Sequence, residues 1–154
     1  MKAKWELSHL GIVVKDINVV KNFIESSQLG ELREVSIEEP EGKQTSQVSL
    51  HLDSLRIDFM QFVPDAFRLS EPMKNYSEGL HHIAFLVDDI DNEVKKLRDK
   101  GVEVLFEEEF NGGPVIQKGK IVFLNTTKIG GTLLELQQIE ECIPEYLPGK
   151  YRQE

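Results

Sequence analysis

A single cysteine, Cys142, rules out an internal disulfide and a cysteine-rich metal site. Basic charge is also scarce: 18 Lys and Arg stand against 27 Asp and Glu, leaving a net charge of −9 and a pI near 5.0. The basic residues are scattered, and an acidic surface repels phosphate backbones and anionic lipid. Neither nucleic acid nor a membrane is therefore an expected partner. No run approaches the ~18 apolar residues of a membrane span. The charged start, Met1 to Glu6, has no apolar stretch behind it, so no signal peptide and a cytoplasmic location are expected. Low-complexity segments are absent as well. What is present is ordinary: 154 residues, 40% hydrophobic and 29% charged, is the balance of a folded globular chain. That length suffices for one sizeable domain or two small packed halves.

The chain repeats itself. His9-Leu-Gly-Ile-Val-Val-Lys-Asp-Ile returns 73 residues later as His82-Ile-Ala-Phe-Leu-Val-Asp-Asp-Ile. Each copy runs into a helical pattern, with Val19, Val20, Phe23 and Ile24 in the first half and Ile90, Val94 and Leu97 in the second. Asp16 and Asp89 stand where a carboxylate caps the first backbone N–H groups, and Gly30 and Gly101 punctuate the helix ends. Three extended segments follow each helix, near 31–37, 46–52 and 55–62, then near 102–108, 119–125 and 132–138. Turn residues separate them, among them Pro40, Gly42, Gly112, Gly113, Gly130 and Gly131. The expected fold is α+β: two paired βαβββ modules forming a curved mixed sheet around a central metal-binding cavity. The first module spans 5–62, a connection 63–80, the second module 81–138 and a C-terminal tail 139–154.

Alternation along the strands then selects the residues that face the cavity. Leu10, Ile12 and Val14 make one apolar face, leaving His9, Gly11 and Val13 on the other; Ile83, Phe85 and Val87 do the same for His82, Ala84 and Leu86. In the last strand of each half, Asp58 points away from Leu55, Ile57 and Phe59, and Glu135 away from Leu134 and Leu136. A carboxylate among apolar neighbours on a sheet is costly to bury unless it is paired or metal-bound. Singly, each histidine is better read as a strand residue bonded to backbone, and each acid as half exposed. As a duplicated set, His9, Asp58, His82 and Glu135 point to a divalent metal at the pseudo-twofold axis: Co, Zn, Ni, Mn or Fe. His51 and His81 fall outside this pattern and are read as structural or exposed.

These segments, with Gly79-Leu-His-His-Ile-Ala-Phe-Leu-Val-Asp-Asp-Ile and Gly130-Gly-Thr-Leu-Leu-Glu-Leu, resemble the vicinal oxygen chelate superfamily over about residues 5–138. That group includes glyoxalase I, extradiol dioxygenases, bleomycin-resistance proteins and the methylmalonyl-CoA epimerases, and the likeness is greatest to the last. The resemblance implies a metal held by two histidines and two further side chains. His9, His82 and Glu135 fall on ligand positions, and Asp58 falls where the family usually carries Glu or Gln. It also implies a homodimer and a small-molecule substrate, an acyl-CoA or other thiol ester.

The chemistry implied is proton abstraction next to a thioester carbonyl. A divalent ion stabilises the enolate charge, and two bases on opposite faces allow inversion. Glu135 is one candidate base and Glu41, just ahead of the strand that begins near Gln44, is the other; Glu107, Glu108 and Glu109 rank below it. Lys43, Lys118, Lys120, Lys150 and Arg152 are available for coenzyme A phosphates, with nothing in their spacing to select among them. The alternatives are a glyoxalase I-like lactoylthiol lyase on the same metal frame, or a non-catalytic binding protein of the resistance type. An extradiol dioxygenase uses two histidines and one carboxylate, so a second carboxylate argues against it.

Overall fold

Ten elements follow one another in the computed structural model, which describes residues 5–38, 44–63, 78–144 and 146. They are β1 (Glu6–Val13), α1 (Ile17–Ser27), β2 (Glu31–Glu38), β3 (Gln44–His51), β4 (Arg56–Gln61), β5 (Gly79–Leu86), α2 (Ile90–Asp99), β6 (Val104–Asn111), β7 (Ile116–Leu124) and β8 (Leu133–Cys142). The repeat read from the sequence is thus one βαβββ unit per half. The second half starts its first strand at Gly79, within the expected connection. Its last strand continues to Cys142 rather than leaving the sheet at Ile139.

The eight strands form one mixed sheet in the order β2-β3-β4-β1-β5-β8-β7-β6. Each half contributes four neighbouring strands, with β1 parallel to β4 and β5 parallel to β8. The halves join where β1 runs antiparallel to β5, on the pseudo-twofold axis. This sheet curls into a half-barrel with the helices on its outer side.

Both helices form for the reasons legible in the sequence, with two differences. Asp16 accepts from the backbone N–H of Asn18 at 2.9 Å, and Asp89 accepts from that of Asn92 at 3.0 Å. Helix α2 also carries Asp91 and Glu93 in its first turn and Lys96 and Arg98 in its last, matching the helix dipole. Helix α1 buries Ile17 and Ile24 on Val48 and Leu50, with Val20 beside them. Val19 and Phe23, expected on the packed face, are 65% and 61% exposed. The helix is short and its inner stripe is narrow, so these two fall on the solvent side. Gly30 is the second difference. Helix α1 ends on Gln28 in the left-handed region (φ 54°), and Gly30 is needed for a close approach, since a Cβ there would lie 2.6 Å from the His51 carbonyl. Gly101 (φ 83°) does follow the end of α2.

Two apolar clusters lie beneath the helices. Under α2, Val87, Ile90, Val94, Val122, Leu124 and Leu136 pack together, joined by Trp5 from the start of the chain. Each such side chain contributes about 1.5–3 kcal/mol on burial. On the opposite, concave face, Ile116, Ile121, Phe123 and Leu133 line one side of the cavity.

Candidate metal centre

The duplicated strands bring His9, His82 and Glu135 together on the concave face, all buried. His9 Nε2 lies 3.1 Å from His82 Nε2 and 3.6 Å from Glu135 Oε2, and His82 Nε2 lies 3.2 Å from the same oxygen. Ligands about 2.1 Å from one ion sit roughly 3.0 Å apart at right angles and about 3.4 Å apart at the tetrahedral angle. The observed spacings of 3.1, 3.2 and 3.6 Å lie within about 0.2 Å of that range, so these three donors fit a single divalent ion. Burial, and then the nearby Arg56 cation, hold the pKa of His9 well below its usual range. His9 is therefore neutral near pH 7, the form that offers a lone pair.

Small residues keep the two imidazoles close. Gly11 is the cross-strand partner of His82 and Ala84 that of His9. A Cβ built on Gly11 would fall 2.0 Å from His82 Cε1. The same small residues sit beside the acids, Gly11 opposite Asp58 and Ala84 opposite Glu135.

Asp58 faces the same centre but is engaged differently. Its Oδ2 lies 3.6 Å from His9 Nε2, and it stands outside the mutual 4.8 Å set of the other three. Its Oδ1 accepts from Ser49 Oγ at 2.7 Å and lies 3.0 Å from Arg56 Nε. Burial disfavours the Arg56 cation, but Asp58 and Tyr146 outweigh it and raise the Arg56 pKa. The guanidinium also donates to the Tyr146 carbonyl, lies 4.1 Å from the centre of the Tyr146 ring, and places Nη2 2.9 Å from His9 Nδ1. Burial pushes the Tyr146 phenol up to about 12, against the opposing pull of Arg56.

Strict alternation misses two further neighbours. The register between β1 and β5 slips by one residue at Ser8 and again at His81. Such bulges re-aim side chains. Ser8 Oγ thereby lies 3.1 Å from His9 Nδ1, and His81 Nδ1 lies 2.9 Å from His82 Nδ1. His81 and His51, left outside the pattern by the sequence, are both buried. Gln137, two positions beyond Glu135 on the same face, donates to Glu135 Oε1 at 2.7 Å and to Tyr146 Oη at 2.8 Å. Its own Oε1 accepts from Ser8 Oγ at 3.1 Å. Arg56 and Gln137 were findable as residues two positions from an inward-facing acid. Ser8 and Tyr146 carried no such signal.

The second candidate base, Glu41, lies outside the described residues, as do Lys43, Lys150 and Arg152. Glu107 pairs with Arg98 at 2.6 Å, and Lys120 with Asp91 at 2.7 Å, both on the outer part of the second half. Lys118 pairs with Glu140 at 2.5 Å.

Residues 8–123 match the family model of the Glyoxalase/Bleomycin resistance protein/Dioxygenase superfamily. Over 134 residues the chain is 28% identical to the mitochondrial methylmalonyl-CoA epimerase of Bos taurus, covering 86% of this chain and 73% of that protein. The Homo sapiens mitochondrial methylmalonyl-CoA epimerase is 30% identical over the same length and coverage. In three dimensions the chain resembles a variant of Streptomyces coelicolor methylmalonyl-CoA epimerase in complex with 2-nitronate-propionyl-CoA. The TM-score is 0.66 at 24% identity, covering 91% of this chain and 98% of that one. At that identity the structural match establishes the fold.

Proposed function

The chain belongs to the glyoxalase/bleomycin resistance protein/dioxygenase superfamily, and from that premise we propose that it is a metal-dependent epimerase. Its chemistry is proton transfer at the carbon next to a thioester carbonyl, with an acyl-CoA of the methylmalonyl type as substrate. The observation that carries this reading is the buried, mutually facing set of His9 Nε2, His82 Nε2 and Glu135 Oε2. Homology to methylmalonyl-CoA epimerases along most of the chain supports the reaction class.

His9, His82 and Glu135 would hold the ion, one of Co, Zn, Ni, Mn or Fe, which when bound supplies a Lewis acid where enolate charge develops. Neutral His9 contributes a lone pair without bringing positive charge to that place. Glu135 is held by Gln137 at Oε1, which leaves Oε2 turned to the histidines and the substrate side. It serves as one proton-transferring carboxylate, and Glu41 from the first half serves as the base on the other face. Asp58 stays with Arg56 and Ser49, with its Oδ2 3.6 Å from His9 Nε2 on the side of the centre. Ile121, Phe123 and Leu133 shield the transferred proton from bulk water.

The test is exchange of the α-proton of methylmalonyl-CoA in heavy water, with cobalt-loaded and chelator-treated protein. Metal-dependent exchange is expected, and Glu41→Gln then slows exchange on one face only. Absence of exchange from protein shown to hold cobalt overturns the substrate assignment, and turnover of a thiohemiacetal by that same protein replaces it with the glyoxalase-like reaction.

A further inference from the structure

Gln137 is 1% exposed, and both its amide nitrogen and its amide oxygen are hydrogen-bonded inside the protein. Its two amide protons go to Glu135 Oε1 and Tyr146 Oη, and its oxygen takes the Ser8 hydroxyl proton. The carboxylate oxygen accepts only, so it fixes which end of the amide faces β8's acid. Oε1 must then face Ser8, and the Ser8 proton must point to it. The remaining lone pair of Ser8 Oγ, 3.1 Å from His9 Nδ1, is free of that proton and can accept an N–H from the ring nitrogen in the tautomer that carries one. With the proton on Nδ1, the Nε2 lone pair is turned to Glu135 and His82, as a ligating histidine requires. Arg56 opposes this arrangement, because Nη2 at 2.9 Å from the same Nδ1 can only donate.

We propose that Gln137 and Ser8 form a positioning relay that ties Glu135 of the second half to His9 of the first and holds both in ligating orientation against Arg56. The proposal rests on the reading of these residues as metal ligands. It goes beyond that reading by giving two buried polar residues a defined task across the boundary between the halves.

The experiment is cobalt binding to the full chain, by competition with a chelator and by the visible spectrum of the bound ion. It compares the wild type, Ser8→Ala, Gln137→Met and the double variant, with thermal unfolding of each metal-free form alongside. Each single substitution is expected to weaken cobalt binding by about 10- to 100-fold and to alter the spectrum. The double variant is expected to match Gln137→Met, because both substitutions cut one chain. Unchanged affinity and spectrum in the singles overturn the relay, as do losses that simply multiply in the double. Ser8→Ala removes one oxygen and decides the question alone if Gln137→Met does not fold. A wild-type chain that takes up no cobalt overturns the ligand assignment itself, a different result from variants that bind as the wild type does.

Discussion

The two halves treat their acids differently although the backbone around them is the same. Asp58 and Glu135 occupy equivalent places on β4 and β8, each beside a small residue of the neighbouring strand. Two positions before the acid, the first half has buried Arg56 and the second has Leu133; two positions after, the first has Met60 and the second Gln137. A guanidinium turns one carboxylate into its counter-ion, and an amide leaves the other aimed at the histidines. Duplication supplied a symmetric frame. The two acids part company where that symmetry is broken.

The largest effect expected is at the shared contact between the halves. Gly11→Ala drives a methyl group into the His82 ring, and displacing a ligand by about 1 Å costs on the order of 100-fold or more in turnover. Activity and cobalt stoichiometry measured together check this, alongside a fall in unfolding temperature from the overpacked strand pair.

The acids separate next. Glu135→Gln is expected to lower cobalt affinity by at least about 10-fold with little change in metal-free stability. Asp58→Asn is expected to act chiefly on the fold, by up to about 3–5 kcal/mol, since it leaves the buried Arg56 charge without its counter-ion. Urea unfolding and chelator competition on both variants sharpen or break the contrast. A third variant reverses its sign. Arg56→Met removes the donor at His9 Nδ1 and releases Asp58 Oδ2 toward the centre, so cobalt binding tightens while the fold weakens.

Acid and base give the smallest effects. His9 resists protonation in the fold, so the unfolded chain binds that proton first. Its contribution to stability is complete above about pH 6.5 and is lost as pH falls through the window below that value. For Tyr146 the folded state keeps the phenol neutral to about 12. Its contribution is complete below about pH 10 and is lost as pH rises from there toward the folded value. Absorbance titration checks this: the late phenolate rise disappears in Tyr146→Phe.

Much of this was legible in the sequence. The 73-residue repeat gave both modules, and alternation gave the inward face of His9, Asp58, His82 and Glu135. Alternation also marked Gly11 and Ala84 as small, though their reason, the ring of the opposite half, needed the pairing of β1 with β5. Ser8 and His81 were hidden because a bulge breaks the period on which such reading depends. Tyr146 was hidden because its place depends on β8 running on to Cys142 before the chain turns back over Arg56. Val19 and Phe23 misled for the opposite reason: apolar spacing alone does not say how wide a stripe the sheet will cover.

The most direct measurement is a crystal structure of the cobalt-loaded protein with anomalous scattering from the ion. The account predicts one ion enclosed by His9, His82 and Glu135, with Asp58 still on Arg56. An ion bound by Asp58 with Arg56 displaced, or one bound away from these histidines, would contradict it.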